Sequence, residues 1–214
     1  SFLNCFFEAV SGFTSTGFTI FENIKHIDES LILWRSSSQW IGGIYFLFSI
    51  ILLIDIFDDN LKKSLTNFIS FNSTEVFKQS LKILLLYSAL TLFLFIVLKL
   101  INIRTFDSFN LSMTIISSGG FLPTDSLNDI IRNNFQSLLL CFAFLISIFN
   151  FYLLYNFVLE KDNLKKHGED MYLIVLVVAF SMIFYFMNDL KLSSVFVNVL
   201  SSIGTSGIST RAVS

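Results

Sequence analysis

Hydrophobic residues run along this chain in unbroken blocks rather than in the spaced stripes of a soluble helix. Residues 36–54, 83–98, 133–159 and 171–188 contain no Asp, Glu, Lys or Arg and are mostly aliphatic or Phe. A helix needs about 20 residues to cross roughly 30 Å of hydrocarbon. The second block is short, but Lys82 and Lys99 at its ends can extend their charged heads to the interface. The pattern predicts four membrane-spanning helices.

Residues 9–21, 108–124 and 192–210 are also uncharged but differ in kind. Each opens on a short apolar segment, too short to span and suited to a re-entrant helix, and closes on hydroxyl residues around glycine. The first reads Val10-Ser11-Gly12-Phe13-Thr14-Ser15-Thr16-Gly17-Phe18-Thr19. The second reads Thr114-Ile115-Ile116-Ser117-Ser118-Gly119-Gly120-Phe121, and the third Leu200-Ser201-Ser202-Ile203-Gly204-Thr205-Ser206-Gly207-Ile208-Ser209. Aligned on Gly17, Gly119 and Gly207, each copy gives two hydroxyl residues, a glycine and a mostly apolar residue; Gly120 breaks the last position, with Phe121 one step late. One pair of long apolar segments separates successive copies. That order predicts an internal repeat of helix, re-entrant loop and helix.

Solvation sets what such a loop can do. Non-helical backbone cannot face lipid with its polar groups unpaired, but it can line a water-filled path. Its carbonyl oxygens then replace an ion's hydration shell. Hydroxyl side chains add oxygen ligands without a full charge, which suits monovalent cations; no carboxylate cage of the calcium type is present. Small residues also serve helix contacts in membranes. Three copies in register favour the ion path.

Composition narrows the class. Hydrophobic residues make up 54% of the 214 and charged ones 14%, against about 25% charged in a soluble domain. The net charge of -2 gives no footprint for nucleic acid. Cys5 and Cys141 propose neither disulfide nor metal site, and His26 and His167 fall in different loops. Neither triad spacing nor a phosphate loop is visible, and no cofactor or enzyme activity is expected. Nothing at the start resembles a signal peptide. Ser1 and the run Arg211-Ala212-Val213-Ser214 lead us to expect a fragment of a longer membrane protein. Lys62, Lys63, Lys78, Lys82, Lys161, Lys165 and Lys166 bias the two charged loops toward the cytoplasm; Lys25, Arg35, Arg104, Arg132 and Lys191 lie on the other side. Arg35, beside Trp34 and near Trp40, is expected as an interface anchor, or as a support bonded to the carbonyls of the first loop. Gly42 and Gly43 are expected to allow close helix packing.

The run from Phe7 to Gly17 resembles the first pore loop of the TrkH/KtrB/HKT superfamily of potassium transporters. Leu33-Trp34-Arg35-Ser36 and Gln39-Trp40-Ile41-Gly42-Gly43 are similar to the helix that follows it there. Ser117-Ser118-Gly119-Gly120-Phe121 and Gly204-Thr205-Ser206-Gly207 resemble the second and third filters, with the TrkH branch as the best fit. The resemblance implies an all-α polytopic membrane protein with helix–pore loop–helix units around a pseudo-fourfold ion path. It implies a selectivity filter for K⁺, the transported ion, at Ser15, Thr16, Gly17 and Phe18, at Ser117, Ser118, Gly119 and Gly120, and at Thr205, Ser206, Gly207 and Ile208. Glycine at position 17 accompanies K⁺ selectivity in that superfamily, and serine Na⁺ permeation. Also implied are a cytoplasmic (inner) membrane location with filters facing outward, a homodimer, and a cytoplasmic nucleotide-binding regulatory subunit of the TrkA/KtrA type.

The expected units are 1–54 (end of repeat 1), 55–82 (cytoplasmic loop), 83–159 (repeat 2), 160–170 (cytoplasmic loop) and 171–214 (start of repeat 3). The expected function is potassium uptake, with the fourth loop absent. Channel-like conduction and symport with H⁺ or Na⁺ both stay open. The alternatives are sodium or non-selective cation conduction, or a membrane-embedded enzyme or assembly subunit. The last would need facing His, Asp or Glu inside the spans, where the sequence has none.

Overall fold

The computed structural model describes residues 1–56, 76–148, 168–187 and 191–210. Among them are seven α-helices: α1 (Phe2–Phe13), α2 (Glu29–Ile56), α3 (Val76–Leu100), α4 (Thr105–Ile116), α5 (Asn134–Ile148), α6 (Gly168–Met187) and α7 (Leu192–Ile203). No strand occurs among the described residues. Among the described residues a pair of longer helices separates each short helix from the next, as the blocks predict. The three re-entrant segments, α1, α4 and α7, are each 12 residues long. Ser80–Leu100 within α3 is long and apolar enough to cross a bilayer, with a mean hydropathy of 2.5. The second half of the expected span 133–159 lies outside the described residues, as does most of both charged loops.

Helix ends depart from the uncharged blocks. α2 begins at Glu29, before the block at 36, and α3 begins at Val76, inside the expected loop 55–82. Charge marks where hydrocarbon ends, whereas a helix continues through Lys and Gln, which are good helix formers. The long helices therefore protrude past the apolar slab.

Burial runs opposite to that of a soluble protein. Glu8, Arg35, Gln39, Ser108, Asn110, Ser112, Thr114 and Ser201 are buried, while Phe2, Leu3, Tyr45, Phe46, Leu85, Val175 and Phe186 are exposed. Water would make that distribution costly; hydrocarbon on the outside makes it favourable. α6 shows it within one helix, with Ser181 buried and Ile183 and Phe186 outward.

Packing recurs as well. α4 lies against α3 and against α2, the span that follows the first re-entrant segment; α7 lies against α6 and against α5, the span that follows the second. α4 and α7 are thus each wedged between two longer helices, and α1 packs on α2. The core joins the two wedges, running from Leu94 and Leu98 through Leu111, Ile115, Leu140 and Phe144 to Val197, Leu200 and Ile208. What this packing holds fixed is the three loops.

Candidate functional site: three glycine loops around one cavity

Each short helix ends in the same backbone turn. The last helical carbonyls accept from the cap N–H: Thr14 to Val10, Ser117 to Met113, and Gly204 to Leu200. The next residue, Ser15, Ser118 or Thr205, takes positive φ of 53°, 52° or 58°. Two residues on, Gly17, Gly120 and Gly207 take φ of 77°, 86° and 62°. The residue between them sends its N–H back to a hydroxyl-bearing residue of the helix: Thr16 to Ser11, Gly119 to Thr114, and Ser206 to Ser201, at 3.0, 2.8 and 3.0 Å. A left-handed turn at a non-glycine residue costs roughly 1–2 kcal/mol, so its repetition three times marks a built conformation.

This geometry corrects the register of the second loop. Its equivalent of Gly17 and Gly207 is Gly120, not Gly119, and Phe121 then falls in line with Phe18 and Ile208. Counting hydroxyls before a glycine fails where two glycines are adjacent, because φ sets the register. Gly119 is glycine for space instead: a Cβ there would collide with the side chain of Gln39.

Gln39, quoted in the sequence only within the motif Gln39-Trp40-Ile41-Gly42-Gly43, was not among the expected site residues, yet it holds the second loop. Fully buried in α2, it donates from Nε2 to the Gly119 carbonyl. Its Oε1 accepts from Thr114 Oγ1 at 3.2 Å and from the Phe121 N–H at 3.3 Å. One amide from the first unit thereby sets the second loop. The signal was present as an amide inside a span, where polar groups carry a cost and mark a site.

Arg35 lies elsewhere than either expectation placed it. It is 1% exposed, so it is no headgroup anchor. Its contacts are to side chains rather than loop carbonyls. Nε donates to Glu8 Oε2 at 3.2 Å and Nη2 to Thr19 Oγ1 at 2.9 Å, and the guanidinium stacks 4.1 Å from the Phe121 ring centre. Thr19 in turn donates to Glu8 Oε1 at 2.6 Å. A buried carboxylate is tolerated when paired and hydrogen-bonded in this way. Gly42 and Gly43 do allow close packing: a Cβ on Gly42 would enter the Phe13 carbonyl, and one on Gly43 would sit 2.5 Å from the Tyr87 hydroxyl and 3.2 Å from Ser117 Cβ.

The loops touch in a fixed order. A Cβ on Gly17 would strike the Gly119 carbonyl oxygen, and one on Gly120 the Ser206 carbonyl oxygen, while one on Gly207 would meet nothing within 4 Å. The returning segments are tied in the same order. The Ile24 N–H donates to Asp125 at 2.6 Å, Lys25 pairs with Asp129 at 3.1 Å, and the Leu127 N–H reaches the Ser209 carbonyl at 3.4 Å. The hydrogen bond from Lys25 holds the Asp129 carboxyl below its ordinary range.

A cavity of about 680 Å³ lies against the loops. Ser15, Ser118 and Thr205, the positive-φ residue after each short helix's cap, line it together with Phe13, Ile116, Ser117, Gly42, Gly43, Tyr87 and Ser147. Phe13 and Ile116 end their helices, and Thr205 lies just past α7. Three helix C-termini, each with no basic residue in its last turn, therefore point partial negative charge at one space. That favours a cation. Among the described residues no group of three or more His, Cys, Asp or Glu could hold a metal ion. Phe18 is 69% exposed, unlike its counterparts Phe121 and Ile208.

No protein-family model matches the chain. It is 29% identical over 129 residues, 56% of its length, to an uncharacterized cation transporter of Methanocaldococcus jannaschii. It is 48% identical over 44 residues, 21% of its length, to the Trk system potassium uptake protein TrkI of Halomonas elongata. The matches span 26% and 9% of those two proteins. The crystal structure of the potassium transporter TrkH from Vibrio parahaemolyticus superposes on 99% of the chain with a TM-score of 0.75 at 20% identity, the chain covering 46% of it.

Proposed function

We propose that the chain, which shares the fold of the potassium transporter TrkH and is similar in sequence to a cation transporter and a Trk potassium uptake protein, is a TrkH-type transporter segment whose three loops form three sides of a potassium path. The observation that carries the reading is the thrice-repeated turn with its first residues, Ser15, Ser118 and Thr205, around one cavity. In this reading K⁺ sheds water onto the carbonyls of Ser15, Thr16, Gly17 and Phe18 and of their counterparts, Ser117, Ser118, Gly119, Gly120 and Phe121 in the second loop and Thr205, Ser206, Gly207 and Ile208 in the third. The helix C-termini hold the ion in the cavity. Gln39 and the Glu8–Arg35 pair keep the carbonyls in place.

The contact order supports a fourth loop. Gly17 and Gly120 each meet the carbonyl of the residue before the next loop's glycine, and Gly207 meets open space. A fourth loop would sit there and close the ring against Phe18. Each loop with its flanking spans is then one repeat, with the boundaries read from the sequence. The lipid bilayer is the surrounding medium. Outward-facing filters, a homodimer and a cytoplasmic regulatory subunit belong to this proposal through the resemblance alone.

Gly17→Ser tests it. A side chain there faces positive φ and the Gly119 carbonyl at once, and a tenfold loss of selectivity corresponds to only about 1.4 kcal/mol. In the full-length protein, expressed in cells lacking their own potassium uptake, the variant is expected to lower the K⁺/Na⁺ preference at equal membrane expression. An unchanged preference would remove Gly17 from the filter and with it the central reading.

A further inference from the structure

The three loops are pinned at their lower end by the same turn, yet at their upper end the chain uses two different solutions. In the first loop the N–H of Ile20, three residues past Gly17, donates to Glu8 Oε1 at 2.8 Å, nine residues before that glycine. In the third loop the N–H of Thr210, three residues past Gly207, donates to Asn198 Oδ1 at 3.0 Å, again nine residues before. The corresponding positions in the second loop, counted from Gly120, are Leu111 and Pro123. Leu111 is an apolar residue of 0% exposure, and Pro123 is the chain's single proline. Proline has no N–H to satisfy, so no acceptor is needed and leucine fills the space. Gln39 pins that loop instead, through Gly119 and Phe121.

We propose that Glu8 and Asn198 are positioning residues for the ion path, each fixing the returning backbone of its own loop, and that Leu111 with Pro123 is the equivalent apolar solution. In the first and third loops the Gly17 and Gly207 N–H groups are held from below by Ser11 and Ser201 carbonyls at 3.5 and 3.2 Å. The acceptor above leaves only two residues between the pins. Of the carbonyls read as facing the ion, those of Gly17 and Phe18 and of Gly207 and Ile208 lie in that short stretch, so their spacing depends on both pins. This rests on the reading that the loops carry potassium.

The test transplants one loop's solution into another, in the full-length protein. Asn198→Leu leaves the Thr210 N–H without its acceptor at a site where Thr210 is 4% exposed. Asn198→Leu/Thr210→Pro removes donor and acceptor together. Glu8→Gln keeps an oxygen for Ile20; Glu8→Leu does not. Two readouts are taken: the K⁺/Na⁺ preference of uptake, and the stabilisation of purified protein against heat by K⁺ relative to Na⁺. The expected result is about a tenfold fall in preference for Asn198→Leu, the scale set by one buried donor left unpaired, and a larger fall for Glu8→Leu, which also leaves Thr19 and Arg35 without their acceptor. The Asn198→Leu/Thr210→Pro pair is expected to recover most of the Asn198→Leu loss, and Glu8→Gln, which keeps the oxygen for Ile20 but not the charge facing Arg35, to fall less than Glu8→Leu. If Asn198→Leu fails to fold, recovery of folded, potassium-responsive protein by the added Thr210→Pro gives the same support. Single variants that keep the parent's preference, or a pair no better than Asn198→Leu alone, overturn the positioning role. A parent with neither potassium uptake nor potassium stabilisation overturns the reading beneath it as well.

Discussion

Arg35 carries more consequence than any other single side chain outside the loops. It is 1% exposed and its partner Glu8 3%, so removing the guanidinium strands a carboxylate away from water. Breaking one side of a buried pair costs about 3–5 kcal/mol. Arg35→Met is therefore expected to lower the thermal midpoint of the purified full-length protein sharply, and Arg35→Met/Glu8→Gln to restore part of the loss by removing the stranded charge. A cost for Arg35→Met below about 1 kcal/mol would mean that Glu8 is not held as a buried charge. The sequence placed Arg35 at the start of a span and showed Trp34 beside it, but not which way it points. Burial depends on helix rotation, and α2 is apolar on most sides, so no stripe reveals its inner face. Gln39 stood out as an amide inside a span, but the loop it reaches was hidden for the same reason.

The short helices were the most legible elements. An apolar run too short to span, ending in hydroxyls and glycine, predicts a half-helix, and all three are 12 residues long. The second loop's register was not legible, because Gly119 and Gly120 are identical in sequence and differ only in task. One makes room for Gln39, and the other takes positive φ. The expectation that Gly42 serves packing can be taken further at this scale. A methyl group there meets the backbone carbonyl of Phe13, which has no flexible end to move aside. α2 must then shift off the end of α1, and the first loop moves with it. Gly42→Ala is expected to destabilise the protein by about 1–3 kcal/mol, the usual cost of overpacking, and to lower potassium uptake more than Ser49→Ala on the same helix. Thermal unfolding and uptake measured side by side check this; equal stability for the two variants would contradict the contact.

For the molecule as a whole, the decisive property is the order in which the loops touch, and no sequence pattern displays it. The loop motif was readable because each copy must satisfy the same solvation problem; the order of contacts follows from packing between the loops. Gly17 and Gly207 separate the two contributions. Both have positive φ, at 77° and 62°, so alanine at either carries a backbone strain of roughly 1–2 kcal/mol. Only Gly17 adds a collision, with the Gly119 carbonyl of the next loop. Within this chain alone Gly207→Ala should therefore be the milder change. If a fourth loop packs on Gly207 as the second packs on Gly17, the methyl group meets that loop's carbonyl and the two variants become alike. We expect the latter: in the full-length protein, Gly207→Ala and Gly17→Ala should both lose most potassium uptake at parental expression, with thermal midpoints lowered by similar amounts. Should Gly207→Ala keep the parent's uptake while Gly17→Ala loses it, nothing packs on Gly207 and the ring does not close through a fourth loop.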